Sequence, residues 1–153
     1  MSPNLRTVGI RNVSFGNNVT VVEPVNLYEC QIGDDSFIGP FVEIQKGVKI
    51  GRRCRIQSHT IVCELVTIGD DTTVAHGVVF INDPYQRGGP ARGDKTLWKA
   101  TNIGENVSIG SNATILPVAI CDRTVVGAGA VVVKDITVAG IYAGNPARLL
   151  REV

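Results

Sequence analysis

Residues Ile32 to Phe80 read IGDDSFIGPFVEIQKGVKIGRRCRIQSHTIVCELVTIGDDTTVAHGVVF. Every sixth residue is large and apolar: Ile32, Ile38, Ile44, Ile50, Ile56, Val62, Ile68, Val74 and Phe80. Two places before each stand Cys30, Ser36, Val42, Val48, Cys54, Thr60, Val66, Thr72 and Val78, all small or β-branched. Glycine often follows the aliphatic position, as at Gly33, Gly39, Gly51 and Gly69. An α-helix does not hold a strict period of six, and one hairpin does not repeat nine times. A six-residue period is the mark of a parallel β-helix. Each hexad is a short strand and a turn. Residues i and i−2 point inward because side chains alternate across a strand. Three hexads close one triangular coil, so residues about eighteen apart stack at roughly 4.8 Å.

The pattern extends both ways from this stretch. Val13/Phe15, Val19/Val21 and Val25/Leu27 are three earlier inward pairs, with one residue missing before Cys30/Ile32. Met1 to about Asn12 reads as a cap or an irregular first coil, since terminal repeats are atypical. After Phe80 the period breaks. Residues 81–100, INDPYQRGGPARGDKTLWKA, are rich in Pro, Gly and basic residues and read as one long loop. Loops of that length are usually functional. The repeat resumes in phase at Thr101/Ile103, and a second one-residue deletion precedes Val118/Ile120. At the end, Asn145 and Pro146 suit the cap and first position of a short helix, which would cover the open end over about residues 145–153. The expected architecture is a single all-β domain over residues 1–153.

A net charge of +1 gives no reason to expect nucleic acid as a partner. No apolar run approaches a membrane span and the N-terminus has no signal-peptide pattern. A cytoplasmic protein without membrane insertion is therefore expected. Cys30, Cys54, Cys63 and Cys121 show no CxxC spacing and read as reduced core or turn residues.

The period, with HGVVFINDPYQR at 76–87, IGENVSIGSNATIL at 103–116 and VGAGAVVVKDITVAGIYAGNPARLLR at 126–151, resembles the hexapeptide-repeat acyltransferases. Within them it is similar to the enzymes that N-acetylate nucleotide-linked amino sugars, especially 3-amino sugars, in cell-surface polysaccharide synthesis. The resemblance implies a single-stranded left-handed parallel β-helix. It further implies acetyl-CoA as acyl donor, a homotrimer with active sites between subunits, and no metal. Handedness comes from the resemblance alone.

Stacking arithmetic places His76 one coil above Ser58, with His59 beside it, and Asn82 one coil above Glu64 where the loop departs. Asn82 is the candidate for orienting the amine or the reacting carbonyl. His76 is the candidate base, and Asp83 a second candidate. Glu64, His59, Tyr85 and Arg87 are candidates for holding the acceptor. Many relatives carry a catalytic His in the loop, whereas residues 81–100 contain none. Either His76 acts from the coil, or an amine less basic than lysine needs only positioning. For the donor, Ser111 and Ala128 resemble the residues whose main chain meets the pantetheine arm. Lys134, Arg148 and Arg151 resemble those that meet the CoA phosphates. Val133 stands where the family often has Thr. Three other readings are an O-acetyltransferase, a zinc carbonic anhydrase and a non-catalytic scaffold. The zinc enzyme would need three converging histidines, and this chain has two.

Overall fold

The nine aliphatic positions and their nine partners are all buried in the computed structural model, which describes residues 1–153. They form one continuous core of 29 residues running the length of a three-sided solenoid. Face 1 holds seven strands, from Ile10–Arg11 to Val131–Val132. Face 2 holds six, from Ser14–Phe15 to Ala119–Ile120. Face 3 holds eight, from Thr20–Val21 to Arg148–Glu152. The chain visits the faces in that order, coil after coil, and pairs in parallel throughout except at the end. Ile38 lies opposite Ile56, and Ile56 opposite Val74, one coil apart as the period requires. Both one-residue deletions are absorbed without loss of register: Phe15 pairs with Ile32, and Ile103 with Ile120. The long loop replaces no face. Face 1 strand Val79–Phe80 precedes it, and face 2 strand Thr101–Ile103 follows, stacking Ile103 on Ile68.

Two local rules build the corners. At the 2/3 corner the glycines after the aliphatic positions sit against one another. A Cβ on Gly33 would lie 2.6 Å from the main chain of Gly51, so a side chain there would force the coils apart. At the 3/1 corner one residue per coil takes a left-handed conformation: Phe41, His59, Gly77, Asn112 and Gly129, with φ from 60° to 68°. Gly and Asn are at ease there, while a bulky ring is not.

The C-terminus corrects the expected helix over 145–153. Gly144, at φ 95°, turns the chain back, and Arg148–Glu152 pairs antiparallel with Gly140–Ala143. The end is closed by a hairpin whose strand satisfies the free edge of face 3, which is the need the helix was expected to meet. Leu149 sits opposite Tyr142, although Leu149 and Leu150 remain exposed.

All four cysteines are free thiols. Burial pushes Cys30 up to about 11 and Cys63 up to about 12, so both stay protonated and unreactive at neutral pH.

An ion-pair ladder ties the coils at the 2/3 corner. Asp70 accepts from the Arg52 backbone N–H at 2.8 Å and from its guanidinium, and Asp71 accepts from Arg53. These bonds hold both carboxyls below the usual aspartate range. A carboxyl lowered in the folded state stabilises above its unfolded pKa and loses that contribution as pH falls through the folded one. Thermal unfolding across pH should therefore show a midpoint that holds from pH 7 to 5 and drops below about pH 4. The drop should be shallower in the Asp70→Asn, Asp71→Asn double variant.

Candidate active site

The 3/1 corner carries one unbroken main-chain ladder. Phe41 N–H donates to Pro24 O, His59 to Pro40, Gly77 to Ser58, Asn112 to His76 and Gly129 to Ser111, at 2.7–3.2 Å. His76 therefore stands on the same edge as Ser111 and Ala128, next to Ser111 and one further coil from Ala128. With coils about 4.8 Å apart, the three positions span roughly 10 Å. Between them the corner is lined by small residues, Gly77, Ser111, Ala128 and Gly129, with Asn112 the largest. This row of small residues runs up to His76.

His76 is exposed, and its Nδ1 lies 2.9 Å from Ser58 Oγ. If Nδ1 carries the proton and donates to the hydroxyl, Nε2 is left as an outward-facing acceptor. His59 sits one coil lower on the same corner, its ring 4.9 Å from that of Phe41 and tilted by 35°. Both histidines thus share one corner in adjacent coils, as the arithmetic expects.

Asn82 belongs to a different edge, the 1/2 corner, six residues of nearly extended chain from His76 and so up to about 20 Å away. Its side-chain amide donates to the Glu64 main-chain oxygen at 3.2 Å, and its main-chain carbonyl accepts from the Lys99 backbone N–H at 2.8 Å. Asn82 thereby closes the root of the long loop at both ends. The Glu64 carboxylate is taken by Lys95, 2.8 Å away, which also lies over the Trp98 ring. Asp83 spends both oxygens inside the loop, accepting from Tyr85 N–H at 3.0 Å and Ala91 N–H at 2.7 Å. Such a carboxylate shapes the loop, and each of its oxygens keeps a further lone pair. A single 3-10 turn, Lys95–Leu97 capped by Asp94, completes the loop. Tyr85 and Arg87 are exposed on its outer part.

Lys134 is exposed after the last face 1 strand, and Arg148 and Arg151 are exposed on the closing hairpin. All three lie at the C-terminal end, beyond Ala128. No three His, Cys, Asp or Glu side chains converge on a point that could hold a metal ion.

Residues 29–64 match the family described as bacterial transferase hexapeptide (six repeats), and residues 101–134 match the hexapeptide repeat of succinyl-transferase. Two stretches of the chain thus carry the hexapeptide repeat of bacterial transferases. This hexapeptide-repeat chain is 34% identical over 130 residues to the bifunctional protein GlmU of Acaryochloris marina, covering 84% of its own length and 26% of the relative. It is 33% identical over 129 residues to the galactoside O-acetyltransferase of Escherichia coli, covering 80% of itself and 63% of the relative. It thus spans less than two thirds of either relative. Its fold is shared, with a TM-score of 0.80 at 23% identity, by a mutant of AntD, an N-acyltransferase from Bacillus cereus in complex with dTDP and coenzyme A. That match covers 91% of this hexapeptide-repeat chain and 83% of AntD.

Two features of the site lay outside the sequence reading. The Lys95–Glu64 pair crosses the loop, where the period gives no coordinates. Phe41 was within reach, since it lies eighteen residues before His59 and thirty-six before Gly77.

Proposed function

We propose that the protein is an acetyl-CoA-dependent N-acyltransferase acting on the amino group of a nucleotide-linked amino sugar, in the cytoplasmic assembly of cell-surface polysaccharide. The observation that carries this reading is the shared ladder of Ala128, Ser111 and His76. An extended pantetheine arm laid on that small-residue track would meet corner amides and present its thioester at His76. Lys134, Arg148 and Arg151, at the far end, suit the CoA phosphates.

The reaction then balances simply. The amine lone pair attacks the thioester carbonyl, the carbon–sulfur bond breaks, and the amide and CoA thiol form. The proton shed by nitrogen passes through His76 Nε2 to the leaving sulfur. Ser58 fixes the ring from the other side. Ser58→Ala should lower kcat about tenfold, a fraction of the base's own effect, with KM for acetyl-CoA unchanged and Ser58→Thr restoring most of it.

His76 and Asn82 lie on opposite edges of face 1, so one subunit does not bring them together. A homotrimer would, by setting one subunit's His76 corner beside its neighbour's Asn82 corner and loop. The outward row of face 1 runs Asn26, Glu43, Ile61, Val79, Thr114 and Val131, and its upper part, with Ile61 at 41% exposure beside Val79, offers an apolar patch for such a contact. Arg87 and Tyr85 would then face the acceptor.

The second reading is O-acetyl transfer to a sugar hydroxyl. It is favoured by the similarity to galactoside O-acetyltransferase and by the buttressed His76, since a hydroxyl needs a base more than an amine does. Thiol release from acetyl-CoA with UDP- and dTDP-linked amino sugars and their hydroxyl counterparts separates the two. Release with a 3-amino sugar alone supports the proposal. Release only with hydroxyl acceptors replaces it by the second reading, and no binding of CoA removes both.

A further inference from the structure

The 3/1 ladder does not stop at His76. It continues through Ser58/His59 to Pro40/Phe41 and Pro24, away from the end that carries Lys134, Arg148 and Arg151. There it meets a cleft of about 190 Å³ lined by Val8, Pro24, Val25, Phe41, Val42 and the side chains of Asn26 and Glu43. Its volume is well below that of a pocket for a whole drug-sized ligand and suits a single heterocycle.

Phe41 is an unusual occupant of its position. It is held at φ 61°, where His59, Gly77, Asn112 and Gly129 stand in the following coils, and it is 56% exposed. A bulky residue kept in the left-handed region at a cost, with its ring in solvent, is explained poorly by packing. The ring is backed by His59 on one side, which fixes it as a platform. The polar groups beside it are also fixed. Glu43 receives Asn26 Nδ2 at 2.9 Å and Gln45 Nε2 at 2.7 Å, and Asn26 Oδ1 receives Arg11 at 3.0 Å. The carboxylate keeps further lone pairs for a donor entering the cleft.

The geometry points to this cleft as the seat of the acceptor's nucleobase, stacked on Phe41 and donating a ring N–H to Glu43. The assignment rests on the acyltransferase reading, in which the reacting amine sits at His76. Phe41 is two coils from His76, roughly 10 Å along the corner. That separation is what a pentose and a diphosphate supply between a base and the sugar they carry. The adenine of CoA is excluded by direction, because its phosphates go to the opposite end. A carboxylate facing ring N3 accepts the N3–H of uracil or thymine but meets a bare lone pair in cytosine, whose pairing-edge donor is the exocyclic amine instead.

The test is calorimetric titration of the full-length protein with UDP, dTDP, CDP and acetyl-CoA, for wild type, Phe41→Asn and Phe41→Leu. Asparagine is the residue the corner already holds at Asn112, so Phe41→Asn should unfold at or above the wild-type temperature. UDP or dTDP should bind more tightly than CDP. Both variants should weaken that binding about tenfold or more while leaving acetyl-CoA binding unchanged. Equal nucleotide affinity in wild type and both variants overturns the assignment. So does a wild type that binds acetyl-CoA and none of the nucleotides, an outcome that leaves acyl transfer standing. Failure of wild type to bind acetyl-CoA or any nucleotide would instead remove the underlying reading and the assignment together.

Discussion

Replacing His76 with alanine should lower kcat for acetyl transfer by about 10²–10⁴ while leaving the affinity for acetyl-CoA unchanged. The ring is exposed, so its loss opens no cavity, and its main-chain oxygen keeps its bond from Asn112. What disappears is the group proposed to take the amine proton, together with its contact to the Ser58 hydroxyl. Steady-state kinetics with calorimetry of the donor checks both halves. A variant that turns over at the wild-type rate would show that a sufficiently acidic amine sheds its proton without help. Positioning alone would then carry the catalysis.

Ile56→Ala should cost about 2–5 kcal/mol of folding stability. Ile56 is fully buried between Ile38 and Val74 in the inner row of face 3. Each coil of a solenoid touches only its neighbours, so the gap left by the missing carbons has few other groups to fill it. Against a typical total of about 5–15 kcal/mol the loss is large. Val133→Ala, at an exposed position, should cost little. Urea unfolding of the two variants beside wild type makes the comparison, and equal midpoints would contradict the layered core described above.

The period made most of the solenoid readable. A strict spacing of six fixes which side chains point inward, and stacking by eighteen then assigns neighbours across coils. Spacing alone puts His76 over Ser58 and Asn82 over Glu64, and Ser58 Oγ and Glu64 O are their hydrogen-bond partners. The two one-residue deletions did no harm, because a corner can lose a residue without moving the strands it joins. The arithmetic fails where the chain leaves the lattice. Residues 81–100 obey no period, so the hold of Lys95 on Glu64 and the internal role of Asp83 had no sequence signal. The end of the chain failed for a different reason. Asn145, Pro146 and the amphipathic residues after them fit a helix locally. A free strand edge on face 3 offered hydrogen bonds that such a helix would have left unmade.

The central claim is that Ala128, Ser111 and His76 form the track of the acyl donor. Calorimetry of acetyl-CoA with wild type and with Ala128→Leu tests it most directly. Ala128 is exposed, so the larger side chain lies outside the core and should leave the unfolding temperature unchanged. The account predicts clear binding to wild type and at least about tenfold weaker binding to the variant, from loss of close approach to the corner main chain. Equal affinity in the two proteins, or no binding to wild type, would contradict it.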